Sequence, residues 1–452
     1  MTTPELTIIG GGLAGTEAAW QAAQRGICVR LYEMRPKVST GAHQTDQLAE
    51  LVCSNSLGSI LPDRAAGLLK NELRQLKSFL LECAQSSALP AGAALAVDRT
   101  FFSRLVSERL YSCPNVEIVR EEVTEIPEGP TIIASGPLTS ERLSHAIALL
   151  TGEDELFFFD AIAPIVTGES IDMNIAFLAS RYGQGENEDG DYINCPFTRD
   201  QYEQFVDALI SAQRIELKEF EARIEQGIKA GMQRFFEGCL PVEVIAQRGR
   251  KALAFGPMRP TGLTNPSTGR WPYAILQLRQ DNLAGSLYNM VGFQTNLTFP
   301  EQRQIFHMIP GLENADFVRF GQMHRNTFLA APKCLLSTLQ FHNRQDLFFA
   351  GQITSVEGYV GNIATGLLAG INAANLLQGK DIFEFPKTTM LGALCYYITH
   401  ADMKDFQPMK ANFGILPSIS TTSRLGKRER AGLLVQRAQK DLEEFMSKMT
   451  LR

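Results

Sequence analysis

Short apolar runs that end in glycine, followed by alanine-rich stretches, recur along this chain and predict strands feeding helices in an α/β fold. Leu6 to Ile9 read as a buried strand, Leu13 to about Arg25 as a helix rich in Ala18, Ala19, Ala22 and Ala23, and Cys28 to Tyr32 as a second strand. Thr131 to Pro137 is an apolar strand running into a small-small-Gly turn, and Asp346 to Gln352 is another strand entering a glycine. After the latter comes an Ala/Leu/Gly-rich helix over Ala364 to Leu377. Phe157 to Val166 reads as one strand-like run, Gly183 to Asp191 as a polar glycine-rich loop, and about Arg199 to Arg223 as a helix. Toward the end, Leu391 to His400 reads as a helix and Asn412 to Pro417 as a loop. Lys427 to Met449 reads as a charged helix with Leu433, Leu434, Ala438 and Leu442 on its apolar face.

The first strand–helix–strand unit carries a dinucleotide fingerprint. Gly10, Gly12 and Gly15 occupy the positions of G-x-G-x-x-G, with Gly11, Leu13 and Ala14 between them, and Glu33 and Met34 end the second strand. Such glycines permit a tight turn, close approach of backbone to a pyrophosphate, and close packing of the next helix, while the acid suits ribose hydroxyls. The helix aims its positive end at the phosphates. The late unit at Gly351, Gln352, Glu357, Gly358, Tyr359 and Asn362 has the form that brings a second helix N-terminus toward a flavin. Two nucleotide-binding pieces so far apart imply an interrupted domain. The expected fold class is α/β, a Rossmann-type, glutathione-reductase-like FAD-binding domain (residues 1–150 and 336–385) with an inserted α+β domain (151–335) and a helical tail (386–452).

Composition narrows the class further. With 452 residues, 44% hydrophobic and 20% charged, the chain has the make-up of an ordinary globular protein of two domains. No stretch approaches the roughly 20 apolar residues of a membrane helix, and no basic leader precedes the first strand. Eight scattered cysteines without a C-x-x-C pair imply reduced thiols in the cytoplasm. No His/Cys/Asp cluster suggests a metal. A net charge of −6 leaves nucleic-acid contact to local basic patches. The densest are Arg248, Arg250 and Lys251, and a tail cluster of Arg424, Lys427, Arg428 and Arg430.

Between the two nucleotide segments lie Val52-Cys53-Ser54-Asn55-Ser56, Phe236-Glu237-Gly238-Cys239-Leu240-Pro241, Phe255-Gly256-Pro257-Met258-Arg259-Pro260 and Met323-His324-Arg325-Asn326-Thr327, with Phe406-Gln407-Pro408-Met409 beyond them. With these words the chain resembles, nearly end to end, the folate- and FAD-dependent tRNA (uracil-5-)-methyltransferases (TrmFO). The Gly351-Gln352-Ile353 and Glu357-Gly358-Tyr359 words are shared with the sister wobble-uridine enzymes (MnmG or GidA). Those carry a long C-terminal extension, and this chain stops without one. The resemblance implies methylation of a T-loop uridine in tRNA, with 5,10-methylenetetrahydrofolate as carbon donor and FAD, reduced by NAD(P)H, as reductant.

Uracil C5 is a poor nucleophile, and adding a thiolate to C6 turns it into an enolate carbon. A methylene donor then needs two more electrons. The reaction therefore asks for a cysteine, a flavin, a folate pocket and a base for the C5 proton. Cys239 and Cys53 match the family's cysteine positions. Cys239 is assigned to uracil C6, with Glu237 and Glu243 close by, and Cys53 to the flavin side as acid/base or through a transient flavin adduct; the reverse assignment stays open. The other six cysteines read as small buried hydrophobes. Gly351, Gln352, Glu357 and Gly358 are expected at the flavin ring and ribityl chain. Tyr359 is expected to stack on pterin or isoalloxazine, or to be core. Asp98-Arg99 is either a flavin-site pair or an ordinary surface ion pair, and His324 and Arg325 are polar site candidates. No second glycine fingerprint exists for a nicotinamide cofactor, so NAD(P)H would visit the flavin transiently. The competing readings are an MnmG-like wobble-uridine enzyme, a small-molecule flavin oxidoreductase, and a flavin-binding RNA chaperone without turnover.

Overall fold

The computed structural model describes residues 5–152, 156–161, 163–185, 187, 189–215, 240–404, 406–419 and 426–450. The central sheet has the strand order Gln340–Phe341, Arg344–Phe349, Thr131–Ile133, Leu6–Ile9, Val29–Tyr32, Val116–Val119. All pairings are parallel except at the Gln340–Phe341 edge. Its strands are short and apolar because both faces are covered, as parallel sheets require. The fingerprint helix spans Leu13–Ala23, and its small residues let the long helix Tyr359–Leu377 lie directly on it. That second helix starts at Tyr359, ahead of the Ala364 predicted from composition, because Gly358 at φ +85° turns the chain into it. It is long and apolar enough to cross a membrane, contrary to the sequence reading, yet 89% of its apolar stretch is buried here.

A second, all-antiparallel sheet runs Phe177–Ala179, Tyr192–Phe197, Ala274–Gln280, Leu287–Met290, Ile165–Thr167, Phe317–Arg319. It has its own hydrophobic core, in which Phe197, Tyr202, Phe205, Phe293 and Phe306 are fully buried. The helix Arg199–Ser211 packs there behind a capping box of Thr198 and Gln201, and it ends well before Arg223. Residues 216–223 of the predicted helix lie outside the described residues. The run Phe157 to Val166 is two strands, not one. Leu156–Ala161 pairs with Met323–Phe328 in a two-stranded ladder, whereas Ile165–Thr167 joins the antiparallel sheet. Pro164 between them cannot donate to a ladder, so the chain changes sheet there.

The tail packs on the parallel unit. Its helices are Met390–His400 and Lys427–Thr450, and Met409–Lys410 pairs with Val356–Glu357. On the last helix the buried face is Ala431, Leu434, Val435, Ala438 and Leu442; Leu433 faces solvent, one residue out of phase with that stripe.

Two buried carboxylates hold distant helices. Glu17 accepts hydrogen bonds from the backbone N–H groups of Phe79 and Leu80 and from Ser78 Oγ, capping the helix Phe79–Ser86. Glu72 accepts from the N–H groups of Met390 (2.7 Å) and Leu391 (2.9 Å), capping the helix that they begin. Both carboxylates answer orphan donors at a positive helix end. Burial pushes the Glu72 carboxyl up to about 7, against the two backbone hydrogen bonds that lower it. A raised folded-state value means that this group's contribution is full below about pH 4.5 and is lost as pH rises through about 7. Glu72→Gln should therefore gain stability relative to the parent, on the order of 3 kcal/mol, as pH is raised across that window. Urea unfolding at several pH values measures this, and parallel stability curves for the two proteins would contradict it.

Candidate functional site

A cleft opens at the carboxyl ends of the central parallel strands. Gly10, Gly12, Leu13 and Ala14 line it from the first turn, Glu33, Met34 and Arg35 from the second strand, and Gly351, Gln352, Tyr359 and Asn362 from the late unit. Gly10 has φ +108°, and a Cβ there would stand 2.4 Å from the Ala134 carbonyl oxygen. Gly15 faces the turn itself, where a Cβ would lie 1.9 Å from the Gly10 oxygen. At Gly12 a Cβ would meet open space, and no side chain caps the helix that follows. Its first N–H groups are left for an anion.

Glu33 is held before any ligand arrives. Its Oε2 accepts from Gly11 N at 3.1 Å and from Arg35 Nη2 at 3.2 Å, and its Oε1 accepts from Arg35 N and Nε at 3.0 and 2.9 Å. Burial raises this carboxyl, but the hydrogen bonds and charge of Arg35 outweigh it and hold the group below its ordinary range. The four acceptor positions of a carboxylate are thus occupied. Arg35, absent from the sequence reading, also donates to Glu50 at 3.1 Å. Gly11 and Gly15 are structural and do not line the cleft. Neither do Glu357 and Gly358: the Glu357 carboxylate accepts from Gln352 Nε2 at 2.9 Å, and Gly358 caps the helix.

The Cys53 loop lies beside the late unit. Tyr359 Oη accepts from the backbone N–H groups of Cys53 (2.9 Å) and Ser54 (3.0 Å). Burial pushes this phenol well up, and charge at Cys53 pushes the same way, so it stays protonated. Cys53 is half-buried and forms no disulfide. Asp98 and Arg99 do not pair with each other. Asp98 caps the helix Arg99–Tyr111 and accepts from Leu283 N, while Arg99 donates to Asp281 at 3.0 Å and to the Leu51 carbonyl at 3.1 Å. Neither is a surface ion pair; both join the parallel unit to the antiparallel one.

Cys239, with residues 236–238 of the word that contains it, lies outside the described residues. Glu243 is described, and each of its oxygens accepts a hydrogen bond, from Asn296 N at 2.8 Å and Thr295 Oγ1 at 2.9 Å. Arg248, Arg250 and Lys251 sit exposed between the helices Val242–Gln247 and Ala252–Phe255, away from the cleft lining. Arg250 is paired at 2.8 Å with each of Glu203 and Asp207. Arg428 forms a pair with Asp63, and Arg424 lies outside the described residues. The backbone of His324 and Arg325 belongs to the ladder strand opposite Asp160 and Phe159.

A family model described as "Glucose inhibited division protein A" matches residues 5–381. The chain is 52% identical over 449 residues to "Methylenetetrahydrofolate--tRNA-(uracil-5-)-methyltransferase TrmFO" of Halalkalibacterium halodurans, covering 99% of this chain and 100% of that one. It belongs to the TrmFO family. The relative of the same name in Bacillus subtilis is 53% identical over 438 residues, covering 97% and 98% of the two chains. Among solved structures, Aquifex aeolicus GidA superposes with a TM-score of 0.68 at 15% identity, covering 97% of this chain and 73% of that one, a likeness of fold.

In this TrmFO-family chain Arg35, Arg279 and Arg319 carry no sequence motif, and Asn362 belongs to the late unit without a role of its own there. Asn362 Oδ1 is buried at the cleft without a hydrogen-bond partner. A signal for Arg279 was present: an arginine in the apolar strand Ala274–Gln280 is buried only with partners. Tyr359→Phe would leave two loop N–H groups without their acceptor. It should lower unfolding stability by about 1–3 kcal/mol, and an unchanged urea midpoint would show that the hydroxyl does not hold the loop.

Proposed function

We propose that this chain transfers the one-carbon unit of 5,10-methylenetetrahydrofolate to C5 of a T-loop uridine in tRNA, with FAD as the resident cofactor and NAD(P)H as the source of electrons. The observation that carries this reading is the joining of the Cys53 loop, through Tyr359, to the wall of the dinucleotide cleft. The names of the full-length relatives support the substrate pair.

The cleft residues fit FAD. Gly12 leaves room for backbone to approach a pyrophosphate while Gly10 lets the turn pass close to Ala134, the uncapped helix start at Leu13 and Ala14 offers N–H groups to the phosphates, and the orphaned Asn362 oxygen awaits a donor. Glu33 and Met34 would hold the adenosine end, with Arg35 yielding one carboxylate position to a ribose hydroxyl. Gly351, Gln352 and Tyr359 would hold the flavin end, with Glu357 and Gly358 shaping that turn from behind. Bound and reduced, FAD supplies the hydride that completes a methyl group.

The protein's own groups do the rest. The Cys239 thiolate adds to uracil C6 and makes C5 nucleophilic. Once C5 has bonded the one-carbon unit, Cys53 removes the C5 proton, and the electron pair left on C5 expels the tetrahydrofolate nitrogen from that carbon, leaving an exocyclic methylene that accepts the hydride. The C6–sulfur bond then breaks, which returns the electron pair to Cys239. Arg248, Arg250 and Lys251 would contact tRNA phosphates, with Arg250 giving up its acidic partners on Arg199–Ser211 to do so.

Incubation with carbon-labelled methylenetetrahydrofolate, NADPH and unmodified tRNA should yield labelled 5-methyluridine in the T-loop. Cys239→Ser and Cys53→Ser should each abolish it, and full methylation by Cys239→Ser would sink the nucleophile assignment. Lys251→Glu should raise the tRNA KM several-fold and reduce the dependence of log KM on log salt by about one charge. An unaltered KM would remove that patch from the RNA surface.

A further inference from the structure

Residues 51–55 are gripped from both units by arginines. Arg99 donates to the Leu51 carbonyl at 3.1 Å and Arg319 Nη2 to the Val52 carbonyl at 3.3 Å. Arg279 Nη2 donates to Ser54 Oγ and its Nε to Asn55 Oδ1, both at 2.7 Å. Arg279 and Arg319 come from the antiparallel sheet, Ala274–Gln280 and Phe317–Arg319, and reach 224 and 267 residues back along the chain. Tyr359 completes the enclosure from the parallel unit.

Among the described residues, the charges around this loop do not balance. Three guanidiniums face one carboxylate, Asp281, which pairs with Arg99. The other nearby acid, Glu50, is engaged by Arg35. The remaining titratable neighbours among the described residues, Tyr192 and Tyr359, are both pushed up by burial and neutral. Arg279 is only 7% exposed. The Arg319 Nε is buried with no hydrogen-bond partner. Buried positive charge without a counter-charge is costly, and burial accordingly lowers both arginines, Arg319 to about 10. Charge on Cys53 acts on both in the opposite sense. A thiolate is the one anion that the loop itself can supply.

We propose that Arg279 and Arg319 are positioning residues that hold the Cys53 loop against the cleft and keep the Cys53 thiol ionised near neutral pH. The antiparallel unit thus sets the reactivity of a thiol carried by the parallel unit. The inference rests on the use of Cys53 in the proposed reaction. Its test reads the thiol directly, so a failed methylation assay and a failed thiol titration remain distinct results.

The experiment is alkylation of the full-length, flavin-containing protein with iodoacetamide across a pH series. The Cys53 peptide is quantified by mass spectrometry, with glutathione as the free-thiol standard. The midpoint for Cys53 should fall at least about one pH unit below the free-cysteine value of about 8.5. Arg319→Gln keeps a donor for the Val52 carbonyl and removes the charge. It should raise the midpoint by about one unit, a tenfold loss of thiolate at low pH. Arg319→Lys should keep the parental midpoint, which a merely structural role would not require. A parental midpoint at or above that of glutathione overturns the proposal, and that measurement does not depend on whether a variant folds. So does an Arg319→Gln protein that retains its flavin and its parental midpoint.

Discussion

The cleft exists because two helices approach closer than side chains normally allow. A Cβ on Gly366 would lie 2.3 Å from the Ala14 carbonyl oxygen, and one on Gly370 would lie 2.6 Å from that of Ala18. The fingerprint helix and the helix Tyr359–Leu377 therefore touch backbone to backbone, as small residues alone permit. This contact joins the first turn of the chain to a turn some 340 residues later. At its head, Gly351 at φ +83° passes so near Ala14 that a Cβ there would stand 2.8 Å from the alanine methyl. Both cleft walls are consequently referenced to one small-residue seam, and so is Tyr359, the first residue of the second helix.

Other joints are polar and buried. Glu17, Glu72 and Glu243 each spend a carboxylate on backbone N–H groups far away in sequence. Two of them stand where a helix end would otherwise leave donors unsatisfied. These glutamates look in sequence like surface positions of amphipathic helices. Each is instead a specific tie between segments, with desolvation offset by hydrogen bonds and by the helix field.

The fingerprint was legible because its physics is local: Gly10, Gly12, Gly15 and Glu33 lie within one strand–helix–strand unit, and spacing alone places them. The late unit at Gly351 was legible for the same reason, although its helix began earlier than composition indicated. What spacing could not reveal was partnership. Asp98 and Arg99 are adjacent in sequence, which suggests a pair, yet each turns to the antiparallel unit, to Leu283 and Asp281. Arg279 and Arg319 carry no motif at all. Their meaning comes from the loop they reach, and only the folded chain brings them to it. The run from Phe157 differs in kind: its hydrophobicity marks strand throughout, but at one proline it passes from the two-stranded ladder to the antiparallel sheet.

The ladder between Leu156–Ala161 and Met323–Phe328 has a consequence for ancestry. The chain leaves the parallel unit on one of these strands and returns on its immediate neighbour, with Leu156 opposite Phe328. A segment whose two ends lie side by side is a cassette: it can be gained, lost or exchanged while the host sheet keeps its strand order. The same dinucleotide frame can then serve different chemistries by changing what is plugged in between those two strands. A newly acquired cassette would need little more than a pair of well-placed arginines to take command of a thiol that the host already possessed.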